Sequence, residues 1–285
     1  MKPVAFEYCR ADTVKDAVAL LAEFGGDASV LAGGMSLGAM LNMRLVRPKA
    51  VIDVNRLAAL AEINERDGVI ETGALVRQSD ALRSEVIARE VPLLALALPH
   101  VGHFQTRSRG TLGGSVAHAD PSAEIPLALV TLGGTVVLRS RGVRRVPAAA
   151  FFAGVLTTAR RADELVVALE WPKRRPRAGY AFDEIAQRHG DFAIAAAAAM
   201  AEIADGKIAA LAFGLGGVED RPIAPDVSRF VGAPANDDTA RVIAAEVADR
   251  VIPIEDLQGS ADYRRQLARV IGARVISQAF TRCSG

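Results

Sequence analysis

Two short glycine-rich segments constrain what this chain can fold into. The first is Ala32-Gly33-Gly34-Met35-Ser36 and the second is Thr111-Leu112-Gly113-Gly114-Ser115, and each is expected to follow a strand or an extended stretch. Paired glycines let the backbone take positive φ and let a bulky ligand lie directly on the main chain. Successive backbone N–H groups form an anion-binding concavity, to which nearby hydroxyls add donors. Either segment alone is also an ordinary turn signal. The two together predict a clamp for a diphosphate.

The residues around the first segment predict a strand, a glycine turn and a helix. Thr13 and Asp16 have the spacing of a reciprocal N-cap for a helix over 13–24, which Gly25-Gly26 ends. Residues 28–31 are a short apolar run and read as a buried strand. Ser36 is expected to cap the helix that follows, over 37–43. This order places the positive end of a helix dipole beside a phosphate.

Hydrophobic periodicity and turn residues divide the next part of the chain into short elements. Asp67-Gly68 between two apolar runs indicates a hairpin. Ser79 is expected to cap a helix, and Glu124 to lie in the first turn of another. The predicted elements are strands over 50–54, 61–64, 69–72, 135–139 and 164–171, helices over 79–89, 92–101 and 123–132, a polar irregular stretch over 103–109, and a solvated basic turn over 141–145.

A basic, proline-bounded stretch at 172–177 suits a linker between two domains. Beyond it, the run 193–201 has high helix propensity. Asp205-Gly206 nevertheless separates two apolar segments of similar length, which favours strands in a meander. The predicted elements are strands over 180–186, 192–203 and 208–213, followed by helices over 237–249 and 261–280.

Composition excludes several classes of function. A formal net charge of +1 provides no electrostatic basis for binding nucleic acid, and no run approaches the length of a membrane span. The N-terminus lacks an apolar signal-peptide core, so we expect a cytoplasmic protein. Two cysteines and four histidines without zincin-type spacing make no zinc or iron–sulfur site. Redox chemistry in this chain would therefore use an organic cofactor.

Two long motifs resemble a known family. One is residues 32–37 with Arg44, Pro48 and 51–53, and the other is Gly110-Thr111-Leu112-Gly113-Gly114-Ser115-Val116-Ala117-His118-Ala119-Asp120-Pro121 with Glu124 and Pro126 after it. Together they look like the FAD-binding medium subunit of molybdenum hydroxylases, the family of carbon monoxide dehydrogenase and xanthine dehydrogenase. The resemblance covers nearly the whole chain.

The resemblance implies an α+β fold in two domains. Residues 1–175 would form a PCMH-type (vanillyl-alcohol-oxidase-like) FAD-binding domain of two subdomains, with FAD between them. Residues 176–285 would form a CO-dehydrogenase-flavoprotein-like C-terminal domain, a three-stranded sheet with helices.

The same resemblance implies a set of cofactor-binding residues. Glu124 would bind the ribityl chain, Val101 and Leu156 would line the adenine end, and Asp191-Phe192 would lie near the isoalloxazine ring. Met35 stands where relatives often carry a polar residue, and Ser115 stands where they often carry Asn. Asp183 lies near the position of a flavin-binding lysine in some relatives. The expected FAD-binding residues are Leu31, Ala32, Gly33, Gly34, Met35, Ser36, Leu37, Val101, Thr111, Gly113, Gly114, Ser115, Ala117, Asp120, Glu124, Leu156, Asp191 and Phe192.

The chain shows no nucleophile–base pair and no paired carboxylates of its own. This fits the role implied by the resemblance, in which a large subunit with the molybdopterin cofactor hydroxylates the substrate. Electrons would pass through two [2Fe–2S] clusters of a small subunit to the FAD and on to an external acceptor, within a dimer of heterotrimers. Two alternatives remain open: a stand-alone FAD-dependent oxidase or reductase on the same fold, and a non-catalytic module that binds another diphosphate.

Overall fold

A computed structural model describes residues 2–283, and its first part is a small β–α–β unit. The order β1-β3-β2 forms a three-stranded parallel sheet. Thr13 and Asp16 form the predicted capping box at the start of α1, and Gly25 ends the helix at φ 54°. Leu21 and Ile52 are fully buried between helix and sheet. The elements are β1 (Glu7–Arg10), α1 (Val14–Phe24), β2 (Ala28–Leu31), α2 (Leu37–Asn42) and β3 (Ala50–Asp53).

The second part is built on a five-stranded antiparallel sheet of order β4-β5-β10-β6-β7. The Asp67-Gly68 hairpin joins β4 and β5 as predicted, with Gly68 at φ 76°. Trp171 is fully buried in this sheet, and its indole N–H donates to Thr72 Oγ1 at 3.0 Å. The strands are β4 (Ile63–Arg66), β5 (Val69–Gly73), β6 (Thr135–Arg139), β7 (Val143–Pro147), the small pair β8 (Phe152–Gly154) and β9 (Thr157–Thr158), and β10 (Leu165–Pro172).

Seven helices belong to this second part, and two predictions about them were wrong. Ser79 lies inside α3 and caps nothing; Ser84 accepts the backbone N–H of Ile87 and caps α4 instead. The stretch predicted to be irregular forms the short helix α6. The helices are α3 (Gln78–Arg83), α4 (Glu85–Glu90), α5 (Pro92–Ala97), α6 (Phe104–Arg109), α7 (Leu112–His118), α8 (Glu124–Thr131) and α9 (Ala148–Phe151).

The sequence predicts a solvated basic turn over 141–145, and this prediction was wrong. The last three residues of this stretch belong to β7, and Arg144 and Arg145 both form ion pairs. Arg144 makes a bidentate contact with the buried Glu164, at 2.7 and 2.6 Å. Arg145 contacts Glu170 at 2.8 Å on the more exposed side. Cross-strand partners, which local sequence does not reveal, decide this outcome.

The third part is a three-stranded antiparallel sheet of order β11-β12-β13 with two helices. The alanine-rich run forms a strand, as predicted, because it pairs on both sides and ends in the Asp205-Gly206 turn, where φ is 52° and 71°. Small side chains let α11 approach closely: a Cβ on Gly272 would lie 2.9 Å from Phe213 Cζ. The elements are β11 (Gly179–Ile185), β12 (Ala195–Ala204), β13 (Lys207–Gly216), α10 (Asp237–Arg250) and α11 (Ala261–Thr281).

Helix α8 joins the second and third parts. Every residue from Glu124 to Thr131 is buried, with α5 and α7 on one side and the β12–β13 hairpin on the other. Gly214 packs so closely against Thr131 that a Cβ there would overlap the hydroxyl. This packing fixes the first turn of α8, and Glu124 with it. Within the described residues, none of the helices combines the length and the apolar character needed to cross a membrane.

Candidate cofactor site

A long cleft of about 840 Å³ runs between the two N-terminal parts and ends at the loop ahead of β12. It brings together 17 of the 18 predicted cofactor residues, from Ala32 in the first part to Phe192 in the third. Leu31 is the exception: it lies one residue back, in β2, and packs beneath Gly34. The walls of the cleft are largely aliphatic, and small residues line its floor. A cleft of this size and composition fits an organic cofactor.

The first glycine segment offers a row of free donors. It connects β2 to α2, with Gly34 at φ 75°. Within residues 2–283, the backbone N–H groups of residues 33–37 have no hydrogen-bond partner, and Ser36 does not make the predicted cap. Five successive N–H groups at the edge of a cleft form an anion cradle. This segment therefore fits a pyrophosphate.

The second segment differs from the prediction. It follows α6 rather than an extended stretch, and it is itself the first turn of α7. The N–H groups of Leu112 and Gly113 donate to the carbonyls of Val76 and Ala74 at 3.0 Å, and that of Gly114 donates to Thr111 Oγ1. These donors are used within the protein. The segment therefore presents the hydroxyls of Thr111 and Ser115 rather than a second row of free amides.

The first glycine segment packs against the residues immediately before the second. A Cβ on Gly33 would lie 2.3 Å from the carbonyl oxygen of Arg109, so only glycine fits there. The amide of Asn55 donates to the carbonyl of Ala32 at 2.8 Å, and Arg77 donates to Asn55 Oδ1 at 2.8 Å and to the carbonyl of Arg109. Neither Asn55 nor Arg77 was predicted, since no motif contains them. In the sequence, Asn55 and Arg77 are marked only by being polar residues a few positions after a strand.

Gln78 is a second side chain that the prediction missed. It lines the cleft, is 5% exposed, and its Oε1 has no partner among the described residues. An unpaired buried acceptor is costly unless a ligand or water donates to it. Its position beside Gly110 makes it a further candidate for binding a ligand hydroxyl or amine.

Glu124 lies in the cleft wall and is only 4% exposed. Burial raises the pKa of its carboxyl to about 8, and the negative charges of Glu184 and Asp120 add to the rise. With this pKa the carboxyl is mostly protonated at pH 7, and in that form it can donate a hydrogen bond as well as accept one. Asp120 lines the cleft too, while its Oδ1 accepts the N–H of Ser122.

The loop ahead of β12 closes one end of the cleft. Gly190, at φ 89°, lies against His103, where a Cβ would come within 2.7 Å of the imidazole. Asp191 pairs with Arg188 at 3.3 Å, and Phe192 is half exposed at the cleft wall. Asp183 does not line the cleft; it pairs with Arg274 at 2.5 Å. Asp183, which lies near the position where the resemblance implies a flavin-binding lysine, therefore does not face the cleft.

Two N-terminal subdomains around a cleft with an anion cradle, followed by a small sheet domain, define a flavoprotein of the PCMH type. Residues 4–174 match the family described as FAD binding domain in molybdopterin dehydrogenase. Residues 180–279 match the family described as CO dehydrogenase flavoprotein C-terminal domain. The chain therefore belongs to the family of FAD-binding subunits of molybdopterin dehydrogenases.

Similar proteins cover the chain from end to end. The carbon monoxide dehydrogenase medium chain of Hydrogenophaga pseudoflava is 31% identical over 100% of both chains. A solved structure of carbon monoxide dehydrogenase from that bacterium, lacking the Mo-pyranopterin moiety of the molybdenum cofactor, superposes with a TM-score of 0.96, 31% identity and full coverage of both chains. Quinoline 2-oxidoreductase from Pseudomonas putida 86 gives a TM-score of 0.93 at 37% identity, covering 99% of each chain.

These findings confirm the family, the α+β fold class, FAD as the cofactor and an oxidoreductase role. The chain is the FAD-binding, medium-type subunit of a molybdenum-hydroxylase-type enzyme. The family match also favours this assignment over a module that binds an unrelated diphosphate.

Proposed function

We propose that this chain transfers electrons from [2Fe–2S] clusters of a small partner subunit to an external acceptor. A large partner subunit with the molybdopterin cofactor would oxidise the substrate, and two such heterotrimers would associate. The observation that carries the proposal is the cleft itself, because it supplies an anion cradle and aliphatic walls without a reactive nucleophile–base pair among its lining residues. A cleft of this kind fits a bound organic cofactor.

The residues present fit FAD, and each part of the cleft has a proposed task. The free N–H groups of residues 33–37, with Thr111 and Ser115, would hold the pyrophosphate. Glu124 would bind the ribityl hydroxyls as a neutral acid, and Phe192 would exclude water from the ring. When bound, FAD supplies the ability to accept and donate electrons singly or in pairs. All 18 predicted residues, including Leu31 beneath the cradle, make up the proposed site.

We also propose that the two domains divide between residues 1–175 and 176–285. The linker region carries no helix, and β10 and β11 belong to different sheets. The polar contacts across this junction include the Tyr180 hydroxyl, which accepts the N–H of Arg175 at 3.0 Å.

Co-expression with the proteins of neighbouring genes tests the function. The expected result is a complex that contains molybdenum, iron and the visible absorption bands of oxidised flavin, with the flavin lost on removal of this chain. If the chain purifies alone and steadily oxidises a small organic donor, the proposal is wrong and the chain is a stand-alone oxidase or reductase. A chain that shows no flavin bands after addition of FAD would contradict both.

A further inference from the structure

A leucine at the tip of a small hairpin has an unusual backbone conformation. Residues 155–156 form the turn between β8 and β9, and Leu156 lies there at φ 51°. Left-handed backbone of this kind favours glycine or asparagine, because a Cβ crowds the neighbouring carbonyl oxygen. A bulky side chain in this region marks a strained residue. Val155, the other residue of the turn, does not have a positive φ.

Leu156 differs from the other residues with this conformation. Among the non-glycine residues that the structure describes, four more have a positive φ: Arg44, Ala119, Arg177 and Asp205. The two arginines are exposed, Ala119 is the C-cap of α7, and Asp205 belongs to an Asp-Gly turn. None of these four lines the cleft, whereas Leu156 does. The turn requires the conformation, but it does not require a leucine.

Contacts on both sides hold the tip of the hairpin in place. The N–H of Leu156 donates to the carbonyl of Ala119 at 3.2 Å, which ties the tip to the end of α7. The Thr157 hydroxyl donates to the carbonyl of Val155 at 2.9 Å. At the base of the hairpin, the N–H of Ala159 donates to the carbonyl of Phe151 at 2.8 Å. Strain of this kind persists where the surrounding structure fixes the backbone.

The side chain of Leu156 offers apolar surface to a ligand. Leu156 is 48% exposed and lines the cleft. Val155 is 52% exposed and does not line it. Only the leucine of this turn can therefore gain burial when a ligand fills the cleft.

We propose that Leu156 is a clasp for the cofactor, held in a strained conformation so that its side chain is already in position when the ligand binds. This inference rests on the proposed placement of FAD in the cleft. Preorganisation strengthens binding, because the side chain and the turn need no ordering at that moment. The ligand-free protein is correspondingly less stable than one with a relaxed turn. Two separate effects follow: the side chain contributes affinity, and the backbone costs stability.

Alanine and glycine variants separate these effects. Leu156→Ala and Leu156→Gly both remove the leucine side chain, but only glycine relieves the left-handed backbone. In the apoprotein, Leu156→Gly should therefore melt about 2 °C above Leu156→Ala, measured by circular dichroism. At position 155 the order should be reversed, with Val155→Gly melting below Val155→Ala, because glycine there only adds freedom to the unfolded chain.

Fluorescence titration with FAD measures the contribution of the side chain. Leu156→Ala and Leu156→Gly should each raise the Kd about five- to tenfold, because the ligand no longer covers the exposed half of a leucine side chain. Val155→Ala should bind FAD like wild type, since Val155 is equally exposed but lies outside the cleft lining.

Either half of the proposal can fail. Equal FAD affinities of wild type and Leu156→Ala would overturn the clasp, and a Leu156→Gly variant that melts at or below Leu156→Ala would overturn the strain. A wild-type chain that takes up no FAD would instead contradict the proposed placement of FAD. A wild-type chain that binds FAD but assembles with no partner would contradict only the electron-transfer role. Should Leu156→Gly not fold, Leu156→Asn replaces it, because asparagine also tolerates a positive φ.

Discussion

Arg77 donates a hydrogen bond to Asn55 Oδ1 over 2.8 Å, and this pair ties the two glycine segments together. Asn55 holds the carbonyl of Ala32 at the start of the first segment, and Arg77 holds the carbonyl of Arg109 just before the second. The spacing between the free amides and the Thr111 hydroxyl therefore depends on two side chains outside both motifs.

Replacing Asn55 with alanine should weaken FAD binding about tenfold, because each lost intramolecular hydrogen bond contributes about 1 kcal/mol. Asn55 makes bonds to the carbonyls of Leu31 and Ala32 and accepts one from Arg77. Fluorescence titration of the apoprotein with FAD measures the change. Asn64→Ala, on the edge strand β4 away from the cleft, should bind FAD like wild type. Equal affinities for both variants would show that the tie does not position the cradle.

Replacing Gly33 with alanine should weaken FAD binding by about 100-fold, since a backbone clash of this kind costs about 3 kcal/mol. The new Cβ would lie 2.3 Å from the carbonyl oxygen of Arg109, which cannot move without opening the contact between the segments. Gly38→Ala is the control: it lies in α2 and has open space within 4 Å. It should retain FAD, as seen by gel filtration and absorption. Retention of stoichiometric FAD by Gly33→Ala would contradict the clamp.

Glu124 should make the apoprotein less stable as the pH rises. Its folded pKa of about 8 lies above the ordinary value of 4.5, so the folded state holds the proton more tightly between these values. Stability therefore falls with rising pH through this window and levels off above it. Glu124→Gln should gain stability relative to wild type over the same window in urea titrations. The control Glu62→Gln, at an exposed position, should show no such trend. If the free energy of unfolding of Glu124→Gln differed from that of wild type by the same amount at every pH, the raised pKa of Glu124 would be refuted.

Replacing Arg144 with methionine should destabilise the fold by about 3 kcal/mol, because it leaves the buried carboxylate of Glu164 without its cation. Glu164 is 2% exposed, and the hydrogen bonds from Arg144 hold its pKa below the ordinary value. Arg145→Met removes a more exposed pair with Glu170 and should cost no more than about 1 kcal/mol. Denaturant midpoints compare the two neighbours. Similar losses for both would show that the burial of Glu164 is not decisive.

Local patterns predicted the elements whose stabilising contacts are themselves local. The capping box of Thr13 and Asp16, the Asp67-Gly68 hairpin and the Asp205-Gly206 turn all occur as predicted. In the last case a turn signal outweighed the helix propensity of an alanine run, because strand partners exist on both sides. The failures have two causes: in β7 a cross-strand partner far along the chain, and in α6 side-chain contacts with nearby carbonyls that apolar periodicity does not reveal. Helix α6 has no apolar periodicity, and Arg107 anchors it by donating to the carbonyls of Val101 and Gly102 at 2.8 Å.

The sequence by itself determined the family, the cofactor class and the small residues at which backbone and ligand approach closely, because glycine pairs and hydroxyls are local chemical facts. Only the tertiary structure decided which backbone donors remain free. Val76 and Ala74 reach across from distant positions to occupy the amides of the second segment, and those of residues 33–37 stay unpaired. Hydrogen-bond satisfaction depends on partners far along the chain. The two segments that look alike in sequence therefore offer a ligand different groups.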